Sequence, residues 1–312
     1  MRRISRLNLQ AITGAALLLA AIAVPVVSQT TRSITVMSQP NASVWIDSVL
    51  FGKTDAAGKL VIRTVPSGSH TLRIRADGFK EISKPITPAQ KGELSLPLSK
   101  TTDEGELAFQ EAGRLTSVDR DKAAAAYRRS IKLRPRYAQA YIELARVLLD
   151  AQKPFEAAKA ISDLRRFSPR NAEASAVQGR IDKDLGDEEK AIVSFQRAIT
   201  EGRGVQPEAY TGLGLLYKER AEGFGGEGDL ENEAANYDKA ATYLKTALKQ
   251  LSGAPDSSVL YQLLGLIYER QKKFNEAIAV YEEFLRFFPD SNDATAVRSF
   301  IVQIKKQMAA QE

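Results

Sequence analysis

The chain has 312 residues, enough for two or three units of ordinary domain size, with the 44% hydrophobic and 26% charged content of a folded globular protein. It has no cysteine and one histidine, His70, which excludes disulfides, thiolate metal sites, a cysteine nucleophile, a lipid-modified cysteine and any multi-histidine metal centre. The net charge of +6 is uneven: residues 1–28 carry three arginines and no acid, residues 29–100 hold ten Lys/Arg against five Asp/Glu, and residues 101–312 hold 31 against 33, so nothing points to nucleic acid.

Arg2, Arg3 and Arg6 precede Ala11 to Val27, an uncharged run of mostly Ala, Leu, Ile and Val. Pro25 lies near its end, and Val26 and Ser28 stand at the −3 and −1 positions of a cut before Gln29. This is the order of an export signal over residues 1–28. Read uncleaved, residues 11–27 are instead a membrane anchor, slightly short of the roughly 20 apolar residues that a span needs. Either reading places residues 29–312 outside the cytoplasm, periplasmic or secreted in the first case and membrane-anchored in the second.

From Ser33 to Leu98 apolar residues recur at spacing two: Ile34 and Val36, Val44 and Ile46, Leu60 and Ile62, Leu72 and Ile74, then Leu94, Leu96 and Leu98. Pro40-Asn41, Phe51-Gly52, Ala57-Gly58, Pro66-Ser67-Gly68 and Asp77-Gly78 separate them as turns. The pattern predicts five or six short strands in a small antiparallel sandwich or barrel. Ser38-x-Pro40-Asn41-Ala42-x-Val44-x-Ile46-Asp47, Gly52-x-Thr54, Val65-Pro66-x-Gly68-x-His70-x-Leu72-x-Ile74 and Gly78-Phe79 together resemble a PEGA domain. The resemblance implies a small β-sandwich of envelope proteins, here over residues 29–100. Asn41 replaces a glycine usual in the family, a swap that its ease of entering the left-handed region permits. Ser48 and Asp55 also depart from the family pattern, standing where glycine and proline are common. His70 is read as capping a loop or packing beside the next strand, since no nucleophile motif accompanies it. Trp45 alternates to the face opposite Val44 and Ile46, an anchor for a partner or for the next domain. Arg73, Arg75, Lys80 and Lys84 offer charge to an anionic envelope polymer, or form the solvated face of the sheet.

Lys100 to Glu104 is a polar linker, after which the chain repeats at close to 34 residues, with units starting near Glu104, Ala138, Ala172, Pro207 and Ser258. The last is the clearest, with Tyr261, Leu264-Gly265, Tyr268, Ala277, Tyr281, Phe284 and Pro289. Gly179, Gly214 and Gly265 let each first helix approach the second, and Phe195, Leu244 and Tyr281 fill the space between. The combination resembles the tetratricopeptide repeat (TPR). Ser291 to Gln311 is predicted as one amphipathic capping helix. Fourteen residues are inserted in the fourth unit, where Gly223, Gly225, Gly226 and Gly228 predict a solvated loop before a lengthened second helix starting near Asp229.

The fold class is therefore multidomain: a small all-β, PEGA-like sandwich followed by an all-α TPR superhelix over residues 101–312. The resemblance implies an inner groove lined by the first helix of each unit, here Ile142, Arg146, Leu149, Arg180, Lys183, Leu215, Lys218, Gln262, Leu266 and Glu269. Glu173 and Thr211 occupy corresponding positions. Arg146 and Arg180 are equivalent in successive units, which suits a segment with acidic and apolar side chains; the plainer reading pairs these cations with Asp150, Asp184 and Glu219 as surface ion pairs. No Gly-rich phosphate loop, nucleophile elbow or metal cluster is present, so neither an enzyme nor a cofactor is predicted. The function expected is an exported, non-catalytic adaptor at the bacterial cell envelope with a protein or peptide partner in the groove. The alternative is a structural envelope component whose PEGA-like domain binds an anionic wall polymer or surface glycan. The two parts are expected to unfold separately, because few contacts need cross a polar linker.

Overall fold

The computed structural model describes residues 32–65 and 68–310. The predicted export signal or anchor, and the Pro66-Ser67 part of one turn, lie outside the described residues. No described helix is long and apolar enough to cross a membrane.

Seven described strands form the N-terminal part: β1 (Arg32–Met37), β2 (Ser43–Ile46), β3 (Val49–Lys53), β4 (Lys59–Val65), β5 (His70–Arg75), β6 (Ile82–Ile86) and β7 (Gly92–Ser95). They make two sheets, ordered β4-β1-β7 and β3-β2-β5-β6. Ile34, Val36, Val44, Ile46, Ile62, Leu72 and Ile74 are buried in the shared core, on the faces that alternation selects. Two features differ from the expectation. β1 pairs with β7 in parallel, so the sandwich is mixed. β3 and β6 escape the alternation rule because β3 is half-exposed along its length and β6 contains Pro85. A proline is tolerated there because β6 is an edge strand. Asn41 adopts φ 58°, the left-handed conformation expected of it.

Eleven described helices follow: α1 (Glu104–Leu115), α2 (Arg120–Leu133), α3 (Ala138–Asp150), α4 (Pro154–Arg165), α5 (Ala172–Asp184), α6 (Glu188–Glu201), α7 (Pro207–Glu227), α8 (Leu230–Leu251), α9 (Ser258–Arg270), α10 (Phe274–Phe287) and α11 (Ala294–Ala309). α1, α3, α5, α7 and α9 begin at the five predicted unit starts, and α11 packs on α10 as the cap. The close approach within pairs depends on glycine. A Cβ on Gly179 would lie 2.6 Å from the Phe195 ring, one on Gly214 2.7 Å from Leu244, and one on Gly265 2.3 Å from Tyr281.

The inserted residues are not a loop. α7 runs helically through Gly223, Gly225 and Gly226 and ends at Gly228, whose φ of 81° makes the turn into α8. α7 and α8 have 21 and 22 residues against 13 and 14 in α9 and α10, so the insertion lengthens both helices of one hairpin.

Nor is the β-sandwich held by the linker alone. The described residues form one compact unit. Gln110 of α1, almost fully buried, accepts from the Gly78 backbone N–H at 2.8 Å and donates to the Phe79 carbonyl at 2.8 Å. Arg75 lies 5.2 Å from the Trp45 ring centre and 4.3 Å from that of Phe109, joining the outer face of the β2–β5 sheet to α1.

Candidate functional site

The first helices of the units line a pocket of about 420 Å³. Arg146 of α3, Glu173, Arg180, Lys183 and Asp184 of α5, and Glu208, Thr211 and Leu215 of α7 contribute to it. Leu251 of α8 also lines it, together with Asp256 and Leu260, which lie just before and within α9. Phe195 of α6 and the start of α7 add to the lining, and the β-sandwich contributes Ser48 and Val49, at the β2–β3 turn. That turn is fixed on both sides. Asp47 and Ser48 have φ of 52° and 90°, the left-handed pair that a two-residue hairpin requires. Asp47 accepts from the Thr71 backbone N–H at 2.8 Å and meets His70 Nδ1 at 2.6 Å, while Ser48 donates its hydroxyl to Glu173. His70 therefore serves the turn, in keeping with a loop-capping role.

Arg146 is the electrostatic centre. Its guanidinium lies 2.6 Å from Glu208, 3.0 Å from Glu143 and 3.7 Å from Glu173, with 24% of the side chain exposed. Burial opposes its charge, but Glu208, Glu143 and Glu173 outweigh that cost and hold its pKa above the ordinary arginine value. Arg180 approaches Asp150 at 3.4 Å and Glu208 at 3.7 Å, and Lys183 meets Glu219 at 2.6 Å. The cations expected to await an acidic partner are thus already committed to carboxylates of the chain itself.

The other predicted groove residues are dispersed. Leu215 lines the pocket. Ile142 and Leu149 do not present themselves to a partner: both are fully buried, in a core cluster shared with Val177 and Ile181 of α5. They lie on the face of α3 that the next unit covers, and a helical period alone does not separate a covered face from an open one. Lys218 pairs with Glu222 at 2.6 Å. Further along, Gln262 donates to Asp293 at 3.0 Å, Glu269 accepts from the Tyr281 hydroxyl at 2.6 Å, and Leu266 is exposed. None of these four lines the pocket. Sequence reasoning missed Ser48, Val49 and Glu208. Glu208 carried a local signal as an acid in the first turn of α7, but its meeting with Arg146 spans 62 residues.

Comparison with known proteins follows the same division. Residues 31–102 match the family model of the PEGA domain, and residues 114–172 and 226–292 match that of the tetratricopeptide repeat. The chain carries a PEGA domain and tetratricopeptide repeats. Between the two matched stretches, α5 and α6 repeat the same glycine-against-aromatic packing through Gly179 and Phe195.

Among curated proteins the chain is 25% identical over 210 residues to the human protein O-mannosyl-transferase TMTC3, covering 60% of this chain and 23% of that one. It therefore spans under a quarter of that relative. Among solved structures, yeast Tom70 shares the fold with a TM-score of 0.53 at 19% identity, over 67% of this chain and 41% of that one. MamA matches with a TM-score of 0.41 at 22% identity, over 61% of this chain and 94% of that one.

Proposed function

We propose that this protein is a non-catalytic adaptor whose tetratricopeptide repeats bind a peptide or protein segment in the concave pocket. The repeats support a protein-interaction scaffold, and the observation that carries the reading is the pocket itself. It is concave, largely apolar between paired charges, and built from the first helices of successive units. We further propose that the protein works outside the cytoplasm at the cell envelope, exported or anchored through residues 1–28. The PEGA domain and the order of those residues support this setting.

Binding of an anionic wall polymer by the PEGA domain is the weaker alternative. Arg75, one of the four cations it needs, is taken up between Trp45, Glu81 and Phe109.

Photo-crosslinking separates a working groove from an idle one. A benzophenone amino acid replacing Leu215 in the full chain is expected to trap partner proteins in envelope extract. The same group replacing Val193, exposed on α6 outside the pocket, is not. Equal adducts from both positions would place binding elsewhere.

A further inference from the structure

The charge state of the pocket identifies the chemistry of its occupant. Each of its three cations is already paired: Arg146 and Arg180 share Glu208, and Lys183 holds Glu219. Two of its acids are not. Asp184 and Asp256 line the pocket, are exposed, and have no ion-pair partner among the described residues. Asp184 is moreover the last residue of α5, where the helix carbonyls already carry partial negative charge. An incoming carboxylate would have to break an existing pair and would face this uncompensated negative end. An incoming ammonium or guanidinium finds two carboxylates waiting and disrupts nothing. Val49, Leu215 and Leu260 supply apolar surface beside them.

We propose that the pocket takes an extended partner segment bearing a lysine or arginine next to an apolar side chain, received between α5, α7 and the β2–β3 turn of the PEGA domain. This rests on the reading of the pocket as the protein-binding site and reverses the acidic segment that Arg146 and Arg180 suggest in the sequence. The PEGA domain is then part of the recognition surface: Ser48, held by Glu173, fixes the position of Val49 at the rim.

The test is selection of a displayed random-peptide library on the full chain, with counter-selection on a pocket-blocked variant, Leu215→Trp. Circular dichroism verifies that variant, and Thr211→Trp is the second blocking variant should the first not fold. Pocket-dependent peptides are expected to be rich in Lys or Arg beside an apolar residue. Synthetic copies should bind the Asp184→Asn, Asp256→Asn double variant about ten-fold more weakly, with the loss shrinking at high salt. Asp121→Asn, which alters an exposed acid outside the pocket, should change nothing. Pocket-dependent peptides that are acidic or neutral, or basic ones indifferent to the double variant, overturn the proposal and leave the pocket reading intact. Recovery of no pocket-dependent peptide overturns both.

Discussion

Arg146 draws carboxylates from α3, α5 and α7 onto one guanidinium, so a single side chain ties three successive units together. Removing it leaves three acids close together and partly desolvated, a mechanism more costly than losing a surface pair. Arg146→Ala is expected to lower stability by about 2 kcal/mol, and Arg146→Glu by more, as measured by urea unfolding. A change within about 0.5 kcal/mol, the size of an exposed pair, would show the network to be solvated. A second set of residues acts at helix starts. Asp119, Asp187 and Asp229 cap α2, α6 and α8 by accepting backbone N–H groups, and hydrogen bonds from Lys122, Lys190 and Asn232 lower their pKa values. A folded-state value below the unfolded one means that their contribution is complete above about pH 4 and is lost as pH falls through the lowered values. Asparagine caps without titrating. Replacing all three by Asn should therefore flatten the fall of the urea midpoint between about pH 4 and pH 2; an unchanged acid slope would assign the titration to other groups. Helical spacing told that Arg146 and Arg180 share a face. It had no means of telling that Glu208 would meet both, because that encounter exists only once units are stacked.

At the level of elements, what repeats was readable and what deviates was not. The starts of α1, α3, α5 and α7 followed from a 34-residue period, and that of α9 from the Tyr261, Leu264-Gly265 and Tyr268 pattern beyond the insertion. The glycines opposite Phe195, Leu244 and Tyr281 followed from the need for close helix approach. The α7–α8 extension was misread because four glycines in six residues argue for a loop by propensity alone. Packing wins there. Gly225 leaves room for the almost fully buried Glu233, whose carboxylate receives Arg270 Nε at 2.8 Å; a Cβ on Gly225 would stand 2.9 Å from that carboxyl carbon. Gly223 and Gly226 have nothing within 4 Å of such a Cβ and no positive φ. Gly223→Ala and Gly226→Ala should each stabilise the hairpin by about 0.5–1 kcal/mol and slow proteolysis near Gly228, whereas Gly225→Ala should destabilise it. Thermal melts and timed digestion read both effects, and three alike responses would deny Glu233 its place. Likewise β6 lay hidden because Pro85 reads as a strand breaker until the strand is known to be an edge.

The whole molecule departs furthest from the sequence expectation of two independent parts. A polar linker says nothing about what folds back over it. Gln110 is buried where α1 meets the Gly78–Phe79 turn, a contact that no helical or strand period signals. Thr64 donates to the Ser252 carbonyl at 2.6 Å, so the PEGA domain touches the superhelix at the C-terminus of α8 as well as at α1. The full chain is expected to unfold in one transition, and Gln110→Ala to cost about 1–2 kcal/mol by leaving the Gly78 N–H and Phe79 carbonyl without their partner. Two resolved transitions in the parent would mean that the contact contributes little. The pocket depends on the PEGA turn forming one of its walls, and the absence of cysteine from the chain makes that directly measurable. Nitroxide labels on Lys84→Cys and Val259→Cys, both exposed and clear of the pocket, report the placement of the β-sandwich against the repeats by pulsed electron resonance. A docked wall gives one narrow distance distribution; a broad distribution, as of two bodies on a flexible tether, would contradict it.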